Sequence, residues 1–288
     1  MVLLNEMSGK DNTLEKKSVV PILKWVGGKR QLFNEIKKYI PEYKIYYEPF
    51  LGGGAVFFGL QPERAVINDI NTSLMCVYQV IRDHTDELIE ELKQHKNEAD
   101  YFYKIRNWDR DKEAYDRKSD IQKASRIIYL NKTCYNGLFR VNRAGEFNTP
   151  FGRYKNPGIV NEKVLRAMAD YLRHPGITLM NTDFEEALRG SQKGDFVYFD
   201  PPYDPVSDSA NFTGYDMRGF DREEQKRLKL LCDVLNKKGT KFLLSNSATD
   251  FIFDLYKEYK IKIIKAKRSV NSRADRRGEV DEVLIRNY

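Results

Sequence analysis

Cysteine is scarce in this chain of 288 residues. Cys76, Cys134 and Cys232 stand far apart, and no Cys-x-x-Cys pair occurs. That excludes a disulfide framework and a thiolate metal site, and buried or half-buried thiols are the expectation. The three histidines, His84, His95 and His174, show no metal-ligand spacing, so no metal site is expected. Long apolar runs are missing too, and no stretch reaches the length that spans a bilayer. Residues Met1 to Lys17 are polar and charged, without the apolar centre of a signal peptide. They read as a flexible leader, and a cytoplasmic location with no membrane partner follows as an expectation. Internal repeats and low-complexity tracts are absent. What is present is 41% hydrophobic residues, enough for a sizeable core, and a net charge of +7. That charge fits a nucleic-acid partner without demonstrating one.

Seven short β-branched or aromatic runs read as buried strands: Ile45 to Glu48, Ala65 to Asn68, Ile177 to Met180, Phe196 to Phe199, Lys241 to Ser245, Ile261 to Lys265 and Glu282 to Arg286. Helical patterns separate most of them, most clearly Asn71 to Arg82 and Arg222 to Leu235. The alternation predicts an α/β fold, a mostly parallel sheet with helices on both faces. It breaks between about Asp83 and Asn156. There a long, charged helical segment carries a late apolar stripe of Ile121, Ala124, Ile127, Ile128 and Leu130. A segment dense in Asn, Gly, Arg and aromatics follows, with turn signals at Asn136-Gly137 and Ala144-Gly145. We read a helical insertion ending in a β-hairpin.

The first strand runs into Tyr47-Glu48-Pro49-Phe50-Leu51-Gly52-Gly53-Gly54-Ala55, ahead of an apolar helix from Val56 to Leu60. Glycines there let a ligand approach the backbone closely. The second strand ends in Asn68-Asp69, which places a carboxylate where a ribose diol would need one. A tight turn alone is the competing reading of the glycines. The segment Lys24-Trp25-Val26-Gly27-Gly28-Lys29-Arg30 looks like a phosphate loop but lacks its first Gly, where Leu23 stands, and its Ser or Thr, where Arg30 stands. Trp25 and Lys29 read instead as residues closing over a cofactor, Lys29 near its carboxylate.

The sharpest feature is Phe196-Val197-Tyr198-Phe199-Asp200-Pro201-Pro202-Tyr203. An apolar strand delivers an acid, two prolines and an aromatic at its carboxyl end, where open α/β sheets bind ligands. The prolines fix φ and remove two amide donors. The Asp200 carboxylate and the Pro201 carbonyl then form a rigid acceptor pair, and Tyr203 offers a face for stacking a base. Two acceptors on the protons of an exocyclic amine would aim its lone pair at a methyl donor. Such chemistry needs orientation and neither a metal nor a side-chain nucleophile.

The order of a Gly-rich motif, an insertion and then Asp-Pro-Pro-Tyr resembles the α group of DNA N6-adenine methyltransferases, the Dam-type enzymes in particular. The resemblance runs from about Pro21 to Tyr288. It includes Leu23 to Lys29, Asn68-Asp69-Ile70-Asn71, Tyr135-Asn136-Gly137-Leu138, Gly145 to Asn148, Pro150 to Lys155 and Asn211-Phe212-Thr213. It implies a Rossmann-like methyltransferase sheet formed by residues 18–82 and 166–288, with 83–165 as target-recognition domain. S-adenosyl-L-methionine is the implied cofactor, held by Trp25, Lys29, Phe50, Gly52, Gly54, Asp69, Asp183, Phe184 and Asp200. Asp183 would accept from the cofactor adenine, although Asp-Phe-Glu-Glu reads equally as a helix start. The implied catalytic residues are Asp200, Pro201, Pro202 and Tyr203.

The implied partner is duplex DNA, with the adenine flipped out of the stack and GATC as target. A two-stranded ribbon fits the major groove, where Arg can read guanine. The basic residues Lys132, Arg140, Arg143, Arg153 and Lys155 interleave with Tyr135, Phe139, Phe147 and Tyr154. By the resemblance, Arg140 reads guanine and Tyr135 wedges beside the flipped base. Asn136, Leu138, Asn142 and Pro150 join Lys132, Arg153 and Lys155 in the DNA contact set. The basic stretch Lys265 to Arg277 reads either as a phosphate contact or as a surface loop. A cognate restriction endonuclease is a partner this reading leaves open, and a monomer is the favoured state. Two rival functions share parts of the pattern, an RNA adenine N6-methyltransferase and an inactive DNA-binding regulator.

Overall fold

A computed structural model of the chain describes residues 19–206, 219–267 and 279–288. The leader, Asn211-Phe212-Thr213 and all but the start of the basic stretch lie outside the described residues. The strands are β1 (Tyr46–Glu48), β2 (Ala65–Asn68), β3 (Ile177–Met180), β4 (Phe196–Phe199), β5 (Lys241–Ser247), β6 (Lys260–Lys267) and β7 (Glu279–Arg286). All seven expected strands are present, the last three longer than their apolar runs. They form one sheet in the order β3-β2-β1-β4-β5-β7-β6, parallel except for β7, which pairs antiparallel with β5 and β6.

Strand alternation explains the two cores. Tyr46, Ile67, Phe196, Tyr198 and Leu243 pack on one face. Tyr47, Val197, Phe199, Phe242 and Leu244 pack on the other. Helices cover both faces: α1 (Phe33–Lys37), α2 (Ala55–Leu60) and α3 (Thr72–Asp83), then α4 (Thr85–Lys93), α5 (Ala99–Arg106), α6 (Lys112–Asp116) and α7 (Asp120–Thr133), then α8 (Glu162–Leu172), α9 (Phe184–Ala187), α10 (Arg222–Lys238) and α11 (Asp250–Leu255). No helix among the described residues is long and apolar enough to cross a membrane. The thiols of Cys134 and Cys232 are buried and that of Cys76 is half-buried, as expected.

The order places β1 beside both β2 and β4. The chain leaves β1 for β2 on one side and later returns to β4 on the other, so the sheet has its switch point there. Crevices at the carboxyl ends of such strands bind ligands. The glycine turn follows β1 and the Asp-Pro-Pro-Tyr turn follows β4, so adjacent central strands bring both to the same edge.

The insertion is built on α7, which packs against α3 and α4. A reciprocal Ser119–Gln122 capping box starts α7. Of its apolar stripe Ala124, Ile127, Ile128 and Leu130 are buried and Ile121 is half-buried, and Ser125, Arg126, Tyr129 and Asn131 are buried with them. Arg126 pairs with Asp109 at 2.7 Å and donates to the Ile105 and Arg106 carbonyls at 3.0 and 2.6 Å, which compensates the buried guanidinium. The hairpin that follows is narrow. The antiparallel bridge Val141–Phe147 and two main-chain hydrogen bonds, Asn142 N–H to Glu146 O at 2.8 Å and Asn148 N–H to Arg140 O at 3.0 Å, hold its arms together. A second bridge, Cys134–Phe151, closes its base.

Candidate active site

The glycine turn is held from β2. Gly52 and Gly54 take φ of 51° and 69°, the left-handed region. The Gly52 amide donates to Asp69 Oδ2 at 2.9 Å, and the Asn71 amide donates to Asp69 Oδ1 at 2.9 Å. Asp69 thus fixes the turn from the end of β2. The glycines also serve Trp25. A Cβ on Gly52 or Gly53 would lie 3.0 or 3.1 Å from that side chain. Trp25 therefore rests directly on the turn.

Lys29 is 4% exposed, and its ammonium meets Asp200 Oδ1 at 2.8 Å. It also donates to the Gly27 carbonyl at 2.6 Å and lies 4.6 Å from the Tyr203 ring centre. Among the described residues these acceptors take two of its three N–H donors. Burial raises the Asp200 carboxyl to about 6, the Glu282 charge adding to the rise and the Lys29 charge opposing it.

The turn after β4 is braced from behind. Tyr203 donates its hydroxyl to Glu282 on β7 at 2.9 Å. The Pro202 carbonyl accepts from Gln225 of α10 at 2.8 Å, and Gln225 accepts from Asn246 of β5 at 3.1 Å. Asn246 in turn accepts the Asp204 amide at 3.1 Å. The Asp204 carboxylate accepts from Arg222 at 3.0 Å and from the Thr249 hydroxyl at 2.7 Å. Among the described residues no hydrogen bond goes to the Pro201 carbonyl, so that acceptor remains beside Asp200.

Phe50 and Phe184 wall the other side, their ring centres 5.3 Å apart, with Phe220 edge-on to Phe50. Asp183 caps α9 by accepting the Glu185 amide at 2.9 Å, the helix-start role that its sequence allowed. It also pairs with Arg227 at 2.7 Å, and that guanidinium lies 4.2 Å from the Phe184 ring centre.

The insertion places its candidates unevenly. Tyr135 is 55% exposed on a single helical turn, Tyr135–Gly137, and Asn136, Arg140, Pro150, Arg153 and Lys155 are exposed around it. Leu138 is half-buried. Phe139 and Phe147 differ from the expected interleaving: they turn inward, because the narrow hairpin has no other core, and Phe139 stacks on Trp25 at 4.8 Å. Asn142 shapes the hairpin tip, accepting the Ala144 and Glu146 amides at 3.0 Å each. Arg140 donates through Nε to Asn148 at 2.7 Å. Lys132 is held down to about 8 by burial and then by the charges of Lys24 and Arg30. That cationic cluster suits an anionic partner.

Comparison with known proteins decides the family. The model of the D12 class N6 adenine-specific DNA methyltransferases matches residues 25–270. The chain belongs to that family. Among relatives of this D12-class methyltransferase, the Type II methyltransferase M1.LlaDCHI of Lactococcus lactis subsp. cremoris is 42% identical over 96% of this chain and 99% of its own. The Type II methyltransferase M.MjaIII of Methanocaldococcus jannaschii is 39% identical over 94% and 99%. The DNA adenine methylase of Escherichia coli K12 is 33% identical over 91% and 93%. The protein is therefore an adenine-specific DNA methyltransferase with an α/β methyltransferase fold.

In this D12-class enzyme, several residues around the site escape sequence reasoning. Glu282 carries one weak signal, an acid directly ahead of the apolar run Val283 to Ile285. Gln225 and Asn246 carry none, since each sits in an ordinary element and meets the turn only through tertiary packing. Arg227 likewise reads as one charge among many on α10.

Proposed function

We propose that the protein transfers a methyl group from S-adenosyl-L-methionine to N6 of a flipped-out adenine in duplex DNA, within GATC. The observation that carries this reading is the convergence of the glycine turn and the Asp-Pro-Pro-Tyr turn at the carboxyl ends of adjacent strands β1 and β4, with Lys29 at 2.8 Å from Asp200. The site fits such a cofactor. Asp69 puts a carboxylate at the glycine turn, the turn's own residues carry no side chains, and Phe50 and Phe184 present aromatic faces. In this reading Trp25, Lys29, Phe50, Gly52, Gly54, Asp69, Asp183, Phe184 and Asp200 hold the cofactor, which supplies an electrophilic methyl group on sulfur. Asp200 and the Pro201 carbonyl would accept hydrogen bonds from the two N6–H groups, which would leave the nitrogen lone pair free for the methyl group that the cofactor would supply. Tyr203, fixed by Glu282, stacks on the target base, and the N6 proton leaves along the Asp200 hydrogen bond. Residues 83–165 grip the duplex. The two relatives named Type II methyltransferases support a place beside a restriction endonuclease of the same specificity.

An anionic Asp200 accepts well and a protonated one does not. The value of kcat/KM should therefore fall about tenfold per unit as pH drops below about 6. Glu282→Gln removes a negative charge that raises the Asp200 carboxyl, so the acid limb should move to lower pH. Lys29→Met removes the charge that opposes the rise, so the limb should move to higher pH. A limb that stays in place in both variants belongs to another group.

Direct sequencing of DNA from a methylation-deficient bacterial host expressing the protein tests the whole reading. Methylated adenine confined to GATC is the expected result. Methylation at another motif would overturn the target, and unmethylated DNA despite a folded, cofactor-binding protein would overturn the substrate.

A further inference from the structure

Asn131, in the last turn of α7, is 1% exposed. Its side chain clasps the main chain of Lys24 on both sides. Oδ1 accepts the Lys24 amide at 2.9 Å, and Nδ2 donates to the Lys24 carbonyl at 2.7 Å. The same Nδ2 donates to the Gly137 carbonyl at 3.0 Å. One buried amide thus ties the segment before Trp25 to the first residues of the recognition hairpin. Removing it would leave the buried Gly137 carbonyl and the part-buried Lys24 main chain without this partner, which costs stability.

Two more contacts cross the same seam. Trp25, seated on Gly52 and Gly53, stacks on Phe139 with rings 24° from parallel. Gly137, with φ of 65°, has no room for a side chain: a Cβ would sit 2.7 Å from the Lys24 side chain and 3.2 Å from the Asn131 carbonyl. Residues 137–139 therefore rest on residues 24–25 through an amide clasp, a ring stack and a close backbone approach. Trp25 touches the turn read as the cofactor site, and Phe139 directly precedes Arg140, read as the guanine contact. The two surfaces therefore share one set of contacts.

We infer that Asn131 is the positioning residue of a link that makes cofactor binding and duplex binding mutually reinforcing, each ligand raising the affinity for the other by the same factor. The inference rests on the two sites as assigned under Proposed function. Reciprocity is required by linkage, and couplings of this kind run from about 5- to 150-fold.

Calorimetry with S-adenosylhomocysteine, alone and in the presence of a duplex carrying one GATC site, tests the link without turnover. In the unmodified protein the duplex should tighten S-adenosylhomocysteine at least about fivefold. Asn131→Ala should bring that ratio close to one while each ligand still binds by itself. Phe139→Leu, which keeps an apolar filler in the hairpin, should lower the ratio in the same direction and guards against misfolding of the first variant. A merely structural role would weaken both single-ligand affinities and leave the ratio as it was, which overturns the link. So does a ratio near one in the unmodified protein. Failure of that protein to bind S-adenosylhomocysteine or to prefer the GATC duplex would instead strike the site assignment, and the link with it.

Discussion

Asp200→Ala is expected to lower kcat by a factor of about 10² to 10⁴, with DNA binding largely intact. Asp200 sits at the end of β4 beside the Pro201 carbonyl, and the two form the acceptor pair proposed for N6. Without the carboxylate, one N6 proton has no acceptor and the lone pair stays delocalised in the ring. Duplex binding should persist because the cationic surface of the insertion lies on other elements. The substitution has a second effect that must be separated from the first. Lys29 is 4% exposed and loses its counter-charge, and an unpaired buried cation is destabilising. Asp200→Asn is the control, since the amide retains an oxygen acceptor beside Lys29 and should give a smaller loss of rate and of stability. Rapid-quench turnover, thermal unfolding and duplex binding, measured together on both variants, separate chemistry from folding. A folded Asp200→Ala protein with a rate within about tenfold of the original, well short of the expected loss, would falsify the role given to Asp200.

The central sheet was legible because buried strands announce themselves. Phe196 to Phe199 is apolar at every position, and all four side chains are buried. The site was legible where its residues are consecutive: the Asp-Pro-Pro-Tyr turn and the glycine turn each occupy one short segment, and strand order alone brings them together. The bracing residues were not legible because their partners are remote. Gln225 meets the Pro202 carbonyl across 23 positions of chain, and Asn131 meets Lys24 across 107. No local pattern marks an amide for such a task. The hairpin misled in a different way. Its density of aromatics and arginines suits a DNA surface, yet a two-armed loop held by isolated bridges needs a core of its own. Phe139 and Phe147 supply it, at 8% and 1% exposure. Composition described the segment correctly and could not assign faces within it.

Arg140→Ala should cost about 1 to 3 kcal/mol of base discrimination, roughly a 5- to 150-fold fall in the kcat/KM ratio between GATC and a site with its guanine replaced. The reason lies in how the side chain is held. Asn148 accepts from Nε at 2.7 Å, which orients the guanidinium plane and leaves both terminal nitrogens for a base edge. A guanidinium oriented beforehand loses less freedom on contact, so its hydrogen bonds contribute more to choosing the base. Asn148→Ala should therefore lower discrimination in the same direction by a smaller amount. Lys155 is exposed as well, but a lone ammonium is suited to phosphate, so Lys155→Ala should weaken binding to all duplexes alike. It should also reduce the dependence of log affinity on log salt by about one unit. Specificity profiling of the three variants over single-base changes in GATC, with salt titrations of duplex affinity, reads these effects separately. If Arg140→Ala keeps both rate and sequence preference, guanine is read elsewhere, and the exposed Asn136 and Pro150 beside it become the surface to test.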